Sequence, residues 1–239
     1  VMDFLWRSGG VEAANAVFAG CNLALALGVK FSEHGTRGYG LILPDKVIHI
    51  DRCAGIVAED RRSVQAVCMD VGEFVRALLA EKDQYGPRQS LVATVRADLT
   101  DAHAQVRHAP DTAFCLVGDE KHSAAAFFET LRAVLPDDAV LVTDSGQHQT
   151  LASDHFPVYQ PHTLLAPADY QAMGYAIPTA VGVALAQPDR DVVVVVGDGS
   201  FVMSGLELLT AVRERVHLKV LLFNNDGYGI LRDIQVEQF

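Results

Sequence analysis

Val192-Val193-Val194-Val195-Val196-Gly197-Asp198-Gly199-Ser200 is the stretch on which the fold turns. Five valines in a row offer no wet face, so the run reads as a strand buried on both sides, as in parallel sheets. It ends in a polar turn bearing two glycines. Upstream, Ala139 to Thr143 reads as a strand running into Asp144-Ser145-Gly146. Downstream, Leu218 to Phe223 runs into Asn224-Asn225-Asp226-Gly227. Helical patterns separate these runs. Ser123 to Val134 is stopped by Pro136-Asp137-Asp138. Pro178 to Ala186 carries its proline in the first turn, where no amide hydrogen is missed, and Ala180, Gly182 and Ala184 permit close packing. Ser204-Gly205-Leu206-Glu207 fits a capping box for a helix running to about Arg215. Strands alternating with helices predict a parallel α/β sheet.

The earlier part repeats the alternation more faintly. Leu23 to Leu27 is an apolar run ending at Gly28; Lys46 to Ile50 alternates and ends at Asp51; Val64 to Met69 is a third run. Val71, Phe74, Val75, Leu78 and Leu79 then recur at helical spacing through Ala80. From about Glu81 to Glu120 the chain is polar, holds Pro87 and Pro110, and reads as a partly helical linker between two units.

Composition bounds the function. The 239 residues hold 19 Lys and Arg against 30 Asp and Glu, a net charge of −11. That length allows one large or two small domains, and the acidity argues against nucleic-acid or anionic-membrane partners. Near the motifs the longest strictly apolar run is Val192 to Val196, whereas a membrane-spanning helix needs about 20 residues. Val1-Met2-Asp3-Phe4 shows no signal peptide. Cys21, Cys53, Cys68 and Cys115 show no paired spacing and read as buried free thiols of a cytoplasmic protein. Both ends read as cut from something larger.

Ligands of an open parallel sheet sit at the carboxyl ends of its strands. Three glycine-bearing turns on neighbouring strands therefore converge on one site. Gly197 and Gly199 bare backbone amides at the start of a helix, which attracts phosphate. The Asp198 carboxylate alone repels phosphate, and a divalent cation between the two removes that conflict. Asp198, Asn225 and a carbonyl near Gly227 are hard oxygen donors, and Mg²⁺ takes few ligands from protein. The residues thus read as a metal–diphosphate site. Other phosphate and hydrolase motifs fail: no Walker loop, no zinc-protease pair, no nucleophile elbow. Val202 also stands where the dinucleotide fingerprint needs Gly.

Gly197-Asp198-Gly199, 24 residues from 200 to 223, then Asn224-Asn225, resembles the cofactor motif of the thiamine diphosphate-dependent enzymes. Tyr170-Gln171-Ala172-Met173-Gly174-Tyr175-Ala176-Ile177-Pro178 resembles the segment preceding that motif, and Gly146-Gln147-His148-Gln149 resembles the acetolactate synthase branch. Leu27-Gly28-Val29-Lys30-Phe31-Ser32 and Ile48-His49-Ile50-Asp51 are similar to part of that family's central domain. The resemblance implies an α/β fold: a parallel doubly wound sheet with flanking helices, preceded by a partial Rossmann-like α/β unit. It implies a partial central domain at 1–95, a linker at 96–122 and a diphosphate-binding domain at 123–239.

The resemblance also implies roles. Asp198 and Asn225 bind Mg²⁺ by side chain and Gly227 by its carbonyl. Gly197, Gly199, Ser200, Gln147 and His148 lie along the diphosphate, and Tyr228 joins the cofactor residues. Met173 sits beneath the bent cofactor, and the Gln171 carbonyl faces its pyrimidine amino group. Each residue has a plainer reading. Met173 fills a core, His148 caps a loop, and Ser200 caps a helix. Glu207 serves the capping box and is no general base. Asp144 is structural, Asp226 is solvated, and His34, His103, His108, His155 and His162 are ordinary polar residues.

The family's Glu, carried on a pyrimidine-binding domain, has no counterpart here. The resemblance therefore implies an incomplete site with no certain catalytic residue of its own. It is completed by a separate chain, a homo-oligomer partner or an upstream region. The implied substrate is a small 2-oxo acid and the implied chemistry decarboxylation with carboligation. A 2-oxo acid decarboxylase or hydroxyketone lyase is the rival enzyme, and a non-catalytic cofactor-binding partner the rival of another class. Thr150-Leu151 and Gly229-Ile230-Leu231-Arg232 depart from the branch's pattern near the substrate. Lys30 and Asp51-Arg52-Cys53 depart from it where some members bind a flavin, which weakens the case for FAD.

Overall fold

The computed structural model describes residues 10–31, 36, 40–59, 65–84, 113–115, 121–168 and 170–238. The chain divides into two compact units, Val1–Pro110 and Asp111–Phe239. Most of the stretch expected to be a linker lies outside the described residues, as do Val64, His34, His103, His108 and both chain ends.

In the first unit, β1 (Ala24–Leu27), β2 (Val47–Asp51) and β3 (Gln65–Cys68) form a parallel sheet in that order. Ala24 pairs with Val47 and Ile48 with Gln65. Helices α1 (Gly10–Ala19), α2 (Ala54–Glu59) and α3 (Val71–Ala80) accompany it. Val47 and Ile50 are fully buried on the central strand. Asp70 caps α3, its carboxylate accepting from the Glu73 amide at 3.1 Å. The apolar stripe of α3 has the expected spacing, yet none of its residues is buried. Cys53 and Cys68 are exposed and Cys21 half-buried. The expectation of buried thiols is corrected there, because Cys53 follows a strand end and Cys68 lies on the outer strand β3.

The second unit opens with a hairpin, β4 (Ala113–Cys115) antiparallel to β5 (Lys121–Ser123), where the sequence read as linker. Helix α4 (Ala124–Val134) follows, its first-turn Ala126 amide capped by Ser123 Oγ at 3.1 Å. Four parallel strands form the main sheet: β6 (Val140–Thr143), β7 (Leu164–Leu165), β8 (Val192–Gly197) and β9 (Lys219–Phe223), in the order β7-β6-β8-β9. Alternate residues of β6 and β8 point to opposite faces. Val140, Val142, Val192, Val194 and Val196 pack on Ala176, Ile177, Ala180 and Ala184 of α6 (Ala176–Ala186). Leu141, Val193 and Val195 pack on Phe128 of α4 and on Ala152 and Phe156, within and just past α5 (Gln147–His155). Helices therefore cover both faces, which is the doubly wound arrangement, and the valine run is dry because each face has its own helical layer. Burying Phe128 alone contributes about 2–3 kcal/mol.

Three local readings need correcting. Gly182 of α6 is exposed with open space above it, so the close packing rests on Ala180 and Ala184. Ser204 is no capping-box residue. It ends α7 (Asp198–Ser204), makes no cap bond, and directs its hydroxyl to the Ser200 carbonyl at 3.4 Å. The box fails because the chain turns through a 3₁₀ segment, Gly205–Glu207, before α8 (Leu208–Glu214). Glu207 instead accepts from Thr210 Oγ1 at 3.2 Å. Finally, α6 begins two residues before Pro178. Its end is secured by Asp144 at the tip of β6, whose carboxylate accepts from the amides of Gly174 at 3.0 Å and Ala176 at 2.7 Å.

Candidate active site

Three adjacent strands end side by side. β6 leads through Asp144-Ser145-Gly146 into α5, β8 leads directly into α7, and β9 leads through Asn224–Gly227 into α9 (Gly229–Gln238). Gly197 and Phe223 are paired at the ends of β8 and β9, so Asp198 and the asparagine pair leave from the same edge. Asn224 spends its side chain on the turn, Oδ1 accepting from the Asp226 amide at 3.0 Å. Asp226 is exposed at φ 55°. Gly227 is exposed, and its carbonyl accepts from the Gly229 amide at 3.1 Å.

His148 stands between the first two tips. Gly146 has φ 150°, and a Cβ there would come 2.6 Å from His148 Cε1. A Cβ at Gly197 would come 3.0 Å from the same atom. Glycine at both positions lets the imidazole settle against bare backbone. The ring is buried and its Nε2 has no partner. Burial lowers its pKa to about 4; Asp144, through charge and a backbone hydrogen bond, and the charge of Asp198 oppose that shift without reversing it.

Ser200, in the first turn of α7, is 1% exposed, and its Oγ is likewise without a partner. The N-cap Gly197 offers no side chain to the helix's first amides. Gly199 lies under two side-chain tips: a Cβ there would meet Tyr228 Cε1 at 2.9 Å and Met173 Cε at 3.1 Å. Met173 is half-buried and Tyr228 exposed. Gln171, two residues before Met173, is exposed and held at φ 49°, its amide donating to the Pro167 carbonyl at 2.8 Å. A left-handed non-glycine residue costs about 1–2 kcal/mol and is a common mark of a functional loop.

Gln147 bridges the first and third tips. Its Oε1 accepts from Asn225 Nδ2 at 2.8 Å, and its Nε2 donates to the Asp233 carboxylate on α9. Asp144 is fully buried and occupied by backbone amides. Sequence reasoning missed Asp233 and Gly229. No motif marks an aspartate inside an unforeseen helix.

Diphosphate and a divalent cation fit these residues. One buried donor, Ser200 Oγ, lacks a partner where an anion is expected. Among the described residues no three His, Cys, Asp or Glu side chains gather for a metal. A cation here therefore depends on the Asp198 carboxylate with an amide and a carbonyl oxygen, a hard donor set of the kind Mg²⁺ takes. A cavity of about 700 Å³ lies elsewhere, between Asp191, Glu214, Arg215 and Lys219 around the opposite strand ends.

Residues 144–239 match the thiamine pyrophosphate enzyme C-terminal TPP binding domain. The second unit thus resembles the cofactor domain of the thiamine diphosphate-dependent enzymes. The chain is 31% identical over 228 residues to the acetolactate synthase isozyme 2 large subunit of Escherichia coli K12, covering 95% of itself and 39% of that protein. It is 30% identical over 227 residues to an acetolactate synthase of Mycobacterium leprae, covering 95% of itself and 36% of the relative. It is 28% identical over 226 residues to the chloroplastic acetolactate synthase 1 of Nicotiana tabacum, covering 93% and 33%. Over nearly its whole length the chain is thus similar to acetolactate synthases, and it spans under two fifths of the length of these relatives.

Proposed function

We propose that this chain binds thiamine diphosphate through Mg²⁺ and forms the diphosphate half of an active site that decarboxylates a small 2-oxo acid and ligates the product to a second carbonyl. Asp198 and Asn225 give the cation side-chain oxygens and Gly227 its carbonyl. Gly197, Gly199, Ser200 and His148 line the diphosphate, with Gln147 beside them. Met173 and Tyr228 close over Gly199 and fix where the cofactor's rings lie, and the strained Gln171 aims its carbonyl at the pyrimidine. When bound, thiamine diphosphate supplies a nucleophilic thiazolium carbon and an electron sink.

The observation that carries this reading is Ser200: a hydroxyl 1% exposed, one residue past Gly199, with no partner of its own. A buried unsatisfied polar atom costs about 1–3 kcal/mol, which a diphosphate oxygen removes. Asp198 favours the metal-bridged form, since without a cation its charge opposes the phosphates.

The pyrimidine-binding Glu comes from another subunit of a homo-oligomer or from a separate chain or region. The first unit is a central-domain unit and the second, with its opening hairpin, the cofactor domain, in a cytoplasmic protein. No helix among the described residues is long and apolar enough to cross a membrane.

Titration calorimetry with thiamine diphosphate tests the reading. Binding is expected with Mg²⁺, and it is expected to be lost or much weaker under chelator, because Asp198 then opposes the phosphates. Equal affinity with and without the metal overturns it. Once the site is completed, product analysis separates the rival enzyme chemistry: a ligated hydroxyketone supports carboligation, a free aldehyde supports plain decarboxylation.

A further inference from the structure

We infer that Asp233 is a positioning residue that fixes which atom of Asn225 faces the cation. The inference rests on the metal–diphosphate reading above and adds a residue to it. Asp233 lies on α9, and its carboxylate accepts from Gln147 Nε2. The other end of that amide, Oε1, accepts from Asn225 Nδ2 at 2.8 Å. The two links join residues 86 and 78 positions apart, so the fold, not local sequence, assembles them.

The direction of this chain of bonds has one source. An amide group is nearly symmetric in shape, and Gln147 or Asn225 alone could lie either way round. A carboxylate can only accept. Asp233 therefore fixes the amine end of Gln147 toward itself and the oxygen end toward Asn225. Asn225 must answer with its amine, which turns its Oδ1 away from Gln147. That oxygen is the atom a hard cation takes, whereas an amide nitrogen is no ligand for Mg²⁺. Partners that orient metal ligands in this way are worth about 10–100-fold in metal affinity.

The packing holds the arrangement in register. Gly229 is buried, and a Cβ built there would collide with both the Gln147 oxygen and the Asn225 nitrogen. The bond between the two amides is seated on bare backbone at the start of α9, four residues before Asp233.

A reversal of polarity tests the idea. In Asp233→Asn the source of direction is gone. In Asn225→Asp the cation keeps a good oxygen donor, but Gln147 now stands between two carboxylates and can satisfy only one. In the double variant every donor and acceptor is exchanged. The amide introduced at position 233 donates to Gln147 Oε1, and Gln147 Nε2 donates to the carboxylate introduced at position 225. Net charge equals that of the parent. Each single variant is expected to weaken Mg²⁺-dependent thiamine diphosphate binding about tenfold, and the double variant to return to within about threefold of the parent. Losses that simply multiply in the double variant overturn the proposal.

A second readout needs no cofactor. In the ligand-free chain, the Asn225 side-chain amide protons are expected to exchange several times faster in Asp233→Asn than in the parent. Unchanged exchange overturns the proposal as well. If exchange responds to Asp233 while Asp198→Ala leaves cofactor affinity intact, the relay stands and the metal reading fails.

Discussion

His148 shows how a single residue is shaped by what surrounds it. Its imidazole sits against two glycines and is buried neutral, with a pKa near 4 against an ordinary 6.5. On unfolding, the ring regains its ordinary affinity for protons. Between pH 6.5 and 4 the unfolded state therefore binds more protons, so folding stability is intact above pH 6.5 and falls as the pH drops toward 4. The full effect is on the order of 3 kcal/mol. Denaturant unfolding at pH 7 and pH 4.5 is expected to show a larger loss in the parent than in His148→Gln; equal losses contradict the burial argument. A second residue-scale expectation concerns Gly229. Gly229→Ala must part the Gln147–Asn225 bond, so it is expected to weaken Mg²⁺-dependent cofactor binding about tenfold while the far-ultraviolet spectrum stays that of the parent. Unchanged affinity contradicts the seating described for that bond.

Among the elements, those with a packing signal were legible and those without one were not. The valine strand, its two neighbours and helices α3, α4 and α6 follow from apolar runs, caps and proline placement. Helix α5 escaped because its residues, Gln147 to His155, are mostly polar and serve a site more than a core. Helix α9 escaped for a like reason, and the two-residue strand β7 is too short to carry a pattern. The failed capping box is instructive: its Ser–x–x–Glu spacing was present, but tertiary structure put a 3₁₀ turn there. Asp144 is the reverse case. Nothing local marks it as a cap, yet it secures the start of a helix 32 residues away. Asp144→Ala leaves the half-buried Gly174 amide and the buried Ala176 amide without that acceptor and is expected to cost about 3 kcal/mol in chemical denaturation. A loss under about 1 kcal/mol contradicts the role given to it.

For the whole molecule, the cofactor motif was legible because its residues are few, adjacent on strand ends and chemically demanding. The relay through Asp233 was not, because amide orientation depends on contacts between distant segments. The surface beside the site carries another message. Val202, Leu206, Leu209 and Val212 follow one another along α7, the 3₁₀ turn and α8, at 84, 81, 68 and 75% exposure. Large contiguous apolar patches mark surfaces that another protein can cover. Leu206→Glu is expected to leave the unfolding midpoint within about 0.5 kcal/mol of the parent, because the side chain is already in water. The same change is expected to abolish activity restored by adding a Glu-bearing pyrimidine-binding region. Restoration at parental level removes this surface from the assembly. By itself the 239-residue chain is expected to turn over no pyruvate when given cofactor and Mg²⁺.

The central claim is that one cation is shared by the tips of two neighbouring strands. Crystals of the chain grown with thiamine diphosphate and Mn²⁺ in place of Mg²⁺ test it through the metal's anomalous signal. The account predicts a peak about 2 Å from both an Asp198 carboxylate oxygen and Asn225 Oδ1, with a diphosphate oxygen in the same shell and Ser200 Oγ on the phosphate. A metal bound elsewhere, or a diphosphate held with Asp198 and Asn225 turned away from any ion, contradicts it.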